Sequence, residues 1–356
     1  MELSTRSAWP VAAMTVVAAV VGACCGARPR PAPSAEEAPE PAELPVKELA
    51  LSGPAASDDA ELSGLAWHGD DLILLPERLG LDERGKRLVA GEQVVYAIAK
   101  ADLEAAIDGR RVDALAPRAI PVVPDVTRAI EGIDGFEAIA IDGDDAYLTI
   151  ETYQNEDGTN PGYVLRGVFR EGRLELDLAS LRLVARPTKE PNTGFEAATV
   201  ADGHLYVVYE RNRGDEGPHA AVFDAGDLAH ETTTPFPAIA YRVTDLTSPD
   251  AAGRVWAMNY RYSDRVIDAP DPAAEALAMR YGRGATHRRE IFVERLVELD
   301  LRPDGLALTP RPPYQLALAP LPRNWEGIAR LGDRGLILVT DEHPHTILGF
   351  VALPEP

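Results

Sequence analysis

The chain has few cysteines, few aromatic residues and too few basic residues to balance its acids. Cys24 and Cys25 are its two cysteines in 356 residues, so disulfides cannot support the rest of the chain, which must depend on a large apolar core. Aromatic residues make up 6% of the sequence. The 35 Lys and Arg face 57 Asp and Glu, a net charge of −22, which argues against nucleic-acid binding because phosphate recognition depends on clustered basic side chains.

Familiar catalytic motifs are also missing from the sequence. It contains no Gly-x-Ser-x-Gly nucleophile elbow, no His-Glu-x-x-His zinc motif and no cysteine metal cluster. Gly80 to Arg87 approaches the pattern of a phosphate loop but lacks the Ser or Thr that binds Mg²⁺, so we interpret it as a plain loop. These absences argue against an α/β-hydrolase nucleophile, a zincin and a P-loop enzyme.

The first 44 residues predict an export signal and a tether. Residues 1–23 are typical of a secretory signal peptide, with Arg6 near the start and an apolar run of 11 residues from Val11 to Val21. That run is too short to form a stable membrane-spanning helix. Residues 24–44 are rich in Pro, Ala and Glu and cannot bury enough apolar surface to fold, so they predict a stiff tether.

The end of the signal, Val21-Gly22-Ala23-Cys24, resembles the lipoprotein box of bacterial lipoproteins. This resemblance implies cleavage before Cys24 and a diacylglycerol on its thiol. The protein would then be exported and bound through this lipid to the membrane of the cell envelope, at the outer membrane or the cell surface. The alternative is an ordinary signal peptide cleaved near the same point.

The remaining chain repeats itself. Each unit begins with a short apolar strand, passes a Gly/Asp turn and continues with a second apolar run, which is typical of a β-hairpin. Third and fourth strand-like runs follow, and self-similar units of four strands predict a β-propeller. The first strands of the four clear units are Leu62–Ala66, Phe136–Ala140, Phe195–Thr199 and Trp325–Ala329, and a degenerate unit begins near Asp245.

We therefore predict an all-β fold, a β-propeller of five four-stranded blades over residues 45–356, with blades beginning near 61, 133, 192, 243 and 323. Six blades, one of them undetected, is the alternative. The last unit lacks a fourth strand, and Val46–Leu51 is expected to supply it and close the ring. For the third unit the fourth strand is assigned to Ile239–Val243. Residues 262–289 are interpreted as an insertion over one face, and a monomer is expected.

Acidic residues recur at fixed points of the units. In two units the acid near the start of the first strand and the acid at the end of the second are 14 residues apart, which places both at one rim. The acids of the first strands are Glu137, Glu196, Glu326 and, in the fourth unit, Asp245. The acids that end the second strands are Glu77, Glu151, Glu210 and Asp341.

Like charges that face each other destabilise a sheet, so these acids need compensation. One hypothesis is a bound Ca²⁺ at the mouth of the axial channel, a hard cation that takes several oxygen ligands. A second is that Arg78 and Arg211, which follow Glu77 and Glu210, bridge the acids between blades without any ligand. A third is that the acids are scattered on the surface. The ligands of the Ca²⁺ hypothesis are Glu137, Glu196, Asp245 and Glu326.

The repeats resemble the phytase-like, or esterase-like, propeller family of exported bacterial proteins. Glu61–Ala66, Asn324–Ala329 and Leu336–Asp341 carry the likeness, which extends from Glu61 to about Val351. The resemblance implies hydrolysis of a phosphate or carboxylate ester of a small molecule, and a metal at the axis would polarise the ester oxygen. The alternative is a non-catalytic module that presents a propeller face to a protein or glycan of the envelope. The residues assigned to substrate binding are Arg78, Arg211, Glu77, Glu151 and Glu210.

Overall fold

The computed structural model of the chain describes residues 41–80, 93–126, 129–153, 161–186, 193–211, 219–262 and 276–354. The predicted signal peptide, the predicted lipid site at Cys24 and most of the predicted tether lie outside the described residues. Within the described ranges no helix has the length and apolar character needed to cross a membrane.

Strands dominate the described chain. Two short strands, β1 (Glu43–Leu44) and β2 (Lys47–Leu49), precede the blades. Blade 1 consists of β3 (Leu62–His68), β4 (Asp71–Pro76), β5 (Gln93–Ala99) and β6 (Arg118–Val123), with helix α1 (Lys100–Ile107) after β5. Blade 2 consists of β7 (Ile133–Asp142), β8 (Asp145–Thr152), β9 (Gly162–Arg170) and β10 (Arg173–Val184). Blade 3 consists of β11 (Ala197–Ala201), β12 (His204–Val208), β13 (His219–Asp224) and β14 (Glu231–Pro235).

The last two blades are less regular. Blade 4 consists of β15 (Arg242–Leu246), β16 (Arg254–Arg261), β17 (Val293–Arg302), β18 (Gly305–Leu308) and β19 (Tyr314–Leu316), with helix α2 (Ala276–Tyr281) between β16 and β17. Blade 5 consists of β20 (Trp325–Leu331), β21 (Gly335–Thr340) and β22 (Leu348–Ala352), to which the N-terminal strand β2 is added.

The first strands of the blades form a closed ring. Strands β3, β7, β11, β15 and β20 contact one another in that order, and β20 returns to β3. Strand β2 pairs antiparallel with β22, with Lys47 opposite Phe350, and so completes blade 5 from the other end of the chain. The described residues therefore form a propeller of five blades closed by an N-terminal strand, as the sequence predicts.

The N-terminal segment also holds blade 4. Strand β1 pairs in parallel with β19, and the Glu43 carboxylate accepts hydrogen bonds from the amide nitrogen of Thr286 at 3.0 Å and from Nδ1 of His287 at 2.8 Å. Gly284 makes room for this carboxylate, because a Cβ at that position would lie 2.4 Å from Glu43 Cγ. Strand β1 is thus added to blade 4 and strand β2 to blade 5, so the N-terminal segment connects these two blades.

The core consists of apolar layers between adjacent blades. Ile73 and Val95 of blade 1 pack with Ile139 and Leu148 of blade 2, and all four are almost completely buried. Helix α2, the described helix of the predicted insertion, joins the layer between blades 3 and 4 through Leu277. These layers supply the apolar core that a chain without disulfides in its body requires.

One strand assignment is wrong. The fourth strand of blade 3 is β14, which pairs with β13, whereas the predicted strand Ile239–Val243 leads into β15 of the next blade. Strand β14 has the sequence Glu-Thr-Thr-Thr-Pro and is mostly exposed, so it has no apolar alternation that could mark it. Ile239 is apolar because it is buried in the layer between blades 3 and 4.

Candidate functional site

A β-bulge near the start of the first strand of a blade turns an acidic side chain toward the centre of the ring of first strands. We call this centre the hub. The pairing of β7 with β8 skips Glu137, and the pairing of β20 with β21 skips Glu326. Ser63 is skipped in the same way in blade 1, and Glu196 directly precedes β11 in blade 3. A bulge leaves its residue unpaired and redirects the side chain, which explains why these positions leave the regular alternation of the sheet.

These acids converge with those that end the second strands, as the sequence predicts. Glu326 of blade 5 acts electrostatically on Glu77 of blade 1, Glu137 of blade 2 and Glu196 of blade 3. Such mutual influence requires the carboxyl groups to lie close together at one end of the ring. We call this end the acid rim, and its members are Glu77, Glu137, Glu151, Glu196, Glu210, Glu326 and Asp341.

Asp245 is also influenced by the charge of Glu326, but backbone amides bind its carboxylate, which argues against a cation ligand at this position. In blade 4 the skipped residue is Thr244, so Asp245 is one position further along the strand. Its Oδ1 accepts a hydrogen bond from the amide of Leu246 at 2.8 Å, and its Oδ2 accepts one from the amide of Ile328 at 2.8 Å. The amide of Leu65 in blade 1 also bonds to this carboxyl group. Asp245 therefore connects blades 4, 5 and 1.

Glycines make room for two carboxyl groups of the acid rim. A Cβ on Gly135 would lie 2.2 Å from Cγ of Glu77, and a Cβ on Gly194 would lie 3.0 Å from Oε2 of Glu151. The backbone of Glu77 also links blades, since its carbonyl oxygen accepts a hydrogen bond from the amide of Phe136 at 2.8 Å. The side chain of one blade thus packs against the backbone of the next.

Arg242 is the cation at the centre of the acid rim, and the sequence analysis missed it. Its Nε contacts Oε2 of Glu210, and its Nη2 lies 3.7 Å from Oε1 of Glu196. Its Nη1 donates a hydrogen bond to the Tyr260 hydroxyl at 3.2 Å, and that hydroxyl donates to Oε1 of Glu326 at 2.7 Å. Arg242 therefore connects the acids of blade 3 with the acid of blade 5.

The two arginines predicted from the sequence lie at the edges of this arrangement. Arg78 contacts Glu61 and lies 3.1 Å from Oε1 of Glu77, but all three residues belong to blade 1, so the predicted bridge between blades stays a prediction. Arg211 is 6% exposed, and its backbone forms a bridge with that of Arg242 between blades 3 and 4. In blade 1 the structure adds Glu61, 6% exposed, as an acid that the repeats did not predict.

Burial and mutual repulsion raise the pKa values of the rim acids. Burial and then the charge of Glu137 raise the pKa of Glu77 to about 10. Burial raises the pKa of Glu326 to about 8 against the opposing effect of Arg242, and burial with the charge of Glu210 raises the pKa of Glu151 to about 7. The pKa of Glu137 lies well above its usual value because of burial and then of Glu151. Protonated and ionised carboxyl groups therefore coexist near neutral pH.

Blade 5 adds a polar loop to the rim. Asp341 accepts a hydrogen bond from Nδ2 of Asn324 at 2.6 Å and one from the amide of His343 at 2.9 Å. The His343 ring packs edge-on against Tyr262 of blade 4, with ring centroids 5.5 Å apart. Across the described ranges no three His, Cys, Asp or Glu side chains are grouped to hold a metal ion, and the Ca²⁺ hypothesis stays a prediction.

Comparisons with known proteins find similarity in structure only. No protein-family model matches the chain, and no curated protein matches it. The phytase-like resemblance therefore stays a prediction, while the propeller itself rests on the strand pairings described above.

Three solved structures illustrate the similarity. A family 43 endo-arabinanase from Bacillus licheniformis has a TM-score of 0.46 and 9% identity, over 85% of this chain and 94% of that one. A family 43 enzyme from Xanthomonas citri complexed with xylose has a TM-score of 0.42 and 14% identity, over 83% and 89%. A family 32 β-fructofuranosidase from Bombyx mori has a TM-score of 0.43 and 12% identity, over 85% of this chain and 62% of that one.

Proposed function

We propose that this protein is a hydrolase that cleaves a glycosidic bond with two carboxyl groups of the acid rim. The observation that carries the proposal is a pair of partly exposed carboxyl groups on neighbouring strands, Glu137 and Glu151, whose pKa values are raised to different extents by burial and by neighbouring acids. Glycoside hydrolysis uses such a pair: a carboxylic acid protonates the leaving oxygen, and a carboxylate acts as base or nucleophile.

Glu137 and Glu151 are the best candidates for this pair. Both belong to the first hairpin of blade 2, both are partly exposed, and the charge of Glu151 is a principal cause of the raised pKa of Glu137. We assign Glu137, whose pKa is raised well above its usual value by burial and by Glu151, as the general acid. Glu151, with a pKa of about 7, is assigned as the base or nucleophile because a large share of it is ionised there.

The charge of the rim favours a glycosidic bond over a phosphoester. Among the described residues, Arg78 and Arg242 contact rim acids and are engaged by carboxylates, and Arg186, whose charge lowers the pKa of Glu151, is bound to Thr193. A phosphate group would meet a surplus of carboxylates at the rim, and like charges at such distances repel strongly in a partly buried site. A neutral or cationic substrate meets no such barrier.

The test is turnover of a panel of aryl glycosides, both anomers of each, by the wild type and by Glu137→Gln and Glu151→Gln. Each variant is expected to lose at least about 100-fold in kcat, the usual contribution of a general acid or base. The matched control is Glu298→Gln, which removes a carboxylate that is 7% exposed and bound by Arg311 and Thr309 outside the acid rim. Equal activity of all four proteins, or no turnover of any glycoside, would exclude the proposal.

Calcium-dependent hydrolysis of an ester is a second candidate, favoured by the surplus of acids over cations at the rim. The proposed ligands are then Glu137, Glu196 and Glu326, and a Ca²⁺ bound to the folded state alone would raise the melting temperature. Melting curves in excess chelator and in millimolar CaCl₂ decide the matter. Identical melting curves would show that Ca²⁺ does not stabilise the folded protein. Glycosidase activity that persists in excess chelator would favour glycoside hydrolysis by the two carboxyl groups.

Export and lipid attachment remain proposals based on the N-terminal sequence. Cys24→Ser should move the protein from the membrane fraction to the soluble fraction of the envelope, because the predicted box places the lipid-bearing thiol at Cys24. Cys25→Ser is the matched control and should leave the distribution unchanged. Mass spectrometry of the N-terminal peptide would show the lipid directly.

A further inference from the structure

The carboxyl group of Glu151 packs against the backbone that leads into blade 3. Gly194, in the chain before β11, lies so close that a Cβ there would be 3.0 Å from Oε2 of Glu151. The carbonyl oxygen of Gly194 accepts a hydrogen bond from the amide of Glu210 at 3.0 Å, and the amide of Gly194 bonds to the Glu210 carboxyl group. The position of this backbone therefore limits where the Glu151 carboxyl group can lie.

Arg186, which follows β10 at the end of blade 2, binds the same backbone. Its Nη2 donates a hydrogen bond to Oγ1 of Thr193 at 2.7 Å and contacts the carbonyl oxygen of Thr193, the residue before Gly194. Nη2 also donates to the Tyr209 hydroxyl at 3.2 Å, and the guanidinium carbon lies 5.7 Å from the centroid of the Tyr209 ring. Thr193 is completely buried and Tyr209 is 2% exposed, so a charged donor of blade 2 is anchored in the interior of blade 3.

We propose that Arg186 is a positioning residue for the hydrolysis proposed above, which fixes the Thr193–Gly194 backbone and thereby the place of the Glu151 carboxyl group relative to Glu137. The inference rests on that proposed function, in which these two acids carry out the chemistry. A reacting group displaced by about 1 Å can lose about 100-fold in rate, so a residue without contact to the substrate can control kcat.

The charge of Arg186 acts on the same carboxyl group. Burial and the charge of Glu210 raise the pKa of Glu151, and Arg186 opposes them. The other charged groups that act on Glu151 are Asp134 and Glu137 of β7 and Arg242 of blade 4. Arg186 is therefore near enough to Glu151 to influence it, while its hydrogen bonds go to the backbone and side chains of blade 3.

The experiment is a double-mutant cycle in kcat with an aryl glycoside that the wild type cleaves. Arg186→Met should lower kcat about 10- to 100-fold and leave KM within about twofold, because Arg186 is bonded to Thr193 and Tyr209 and acts through Glu151. Arg186→Lys, which keeps a charged donor, should recover part of this loss. In the background of Glu151→Gln, Arg186→Met should cause no further loss, because residues that act as a unit are not additive.

Hydrogen exchange tests the anchor without any substrate. The amide of Glu210, which donates to Gly194, should exchange at least about tenfold faster in Arg186→Met than in the wild type. The matched control is Arg182→Met, which removes a guanidinium of β10 that donates to the carbonyl oxygens of Ala179 and Leu181 and should leave kcat and exchange unchanged. Melting curves check that every variant is folded, and Arg186→Lys replaces Arg186→Met in both experiments if the latter does not fold.

Four results separate the possibilities. An unchanged exchange rate at Glu210 would overturn the inference. A loss in kcat that multiplies with that of Glu151→Gln would also overturn it, since a general structural defect behaves in this way. A rise in KM at constant kcat would show that Arg186 binds the substrate directly and would overturn the positioning role. Faster exchange without turnover of any glycoside would support the anchor and exclude the hydrolase function alone.

Discussion

Replacement of Arg242 with Met should destabilise the protein by about 3–5 kcal/mol at pH 8, the range found when one partner of a buried ion pair is removed. Arg242 contacts Glu210, which is completely buried, and faces Glu196, which is 7% exposed. Methionine keeps most of the apolar stem and removes the charge. The carboxylates would then remain in the hub without their cation.

The loss should depend on pH in a definite direction. Arg242 lowers the pKa values of Glu196 and Glu210 against the larger effect of burial, so its removal raises both further. At lower pH these acids carry less charge in the variant, so at pH 5 the expected loss falls to about 1–2 kcal/mol, the value of the missing hydrogen bonds. As pH rises the acids must ionise without a cation, and the folded state loses stability.

Urea unfolding at pH 5 and pH 8 measures this difference, and Glu210→Gln completes a double-mutant cycle. In the background of Arg242→Met, Glu210→Gln should restore about 1–3 kcal/mol at pH 8, because it removes a buried charge that has lost its partner. The control is Arg311→Met, whose ion pair with Glu298 lies outside the hub and is 29% exposed on the Arg side. An equal loss at both pH values, or no recovery in the double variant, would refute the reasoning.

Three further predictions concern stability. Asp245→Ala should cost about 2–4 kcal/mol in urea unfolding, since it leaves backbone amides of three blades without their acceptor. Gly135→Ala should cost about 1–3 kcal/mol because the new Cβ would lie 2.2 Å from Glu77 Cγ, and Glu77→Ala should relieve most of that loss. The melting temperature should fall between pH 6 and pH 9, because Glu151 and Glu326, with pKa values of about 7 and about 8, lose protons there that the folded state retains better than the unfolded chain does.

Each of these predictions has a clear contrary result. Asp250→Ala, which removes a half-buried turn carboxylate bound by local backbone amides, is the control for the hub aspartate and should cost less. If Gly135→Ala lowers the free energy of unfolding equally in the Glu77→Ala background, the strain lies in the backbone and not in the contact with the Glu77 side chain. A melting temperature that rises over the alkaline range would contradict the raised pKa values, and Glu326→Gln should flatten the fall.

The order of strands was largely readable from the sequence, for a physical reason. Inner and middle strands of a blade are covered on both faces by neighbouring blades, so Leu72–Leu75 and Leu336–Leu338 are continuous apolar runs. The third and fourth strands of blade 1 are likewise short β-rich runs, Gln93–Ala99 and Arg118–Val123. Strand β14 escaped prediction because an outer strand needs only backbone pairing and β-branched residues, and its three threonines are partly or fully exposed.

The acids of the rim were predictable to within one residue, and that residue matters. The spacing of the repeats alone predicted that Glu137 and Glu326 lie near the start of their strands. It gives no information about the bulge that directs their side chains. In blade 4 the same bulge falls on Thr244, so its neighbour Asp245 turns toward the amides of adjacent blades. Spacing locates the strand, but only the register decides which of two adjacent side chains reaches the hub.

A second position in the repeat explains how the hub tolerates its charge. Two residues before the skipped position, the five blades carry Glu61, Gly135, Gly194, Arg242 and Asn324. In blades 2 and 3 the absence of a side chain at this position leaves space for carboxyl groups, whereas blade 4 fills the corresponding space with the cation that offsets them. Arg242 and Arg78 face more buried acids than two positive charges can neutralise, so some of these acids must hold protons. The unequal residues at this one position, together with the repeated acids, therefore decide how much negative charge the rim carries in the folded protein.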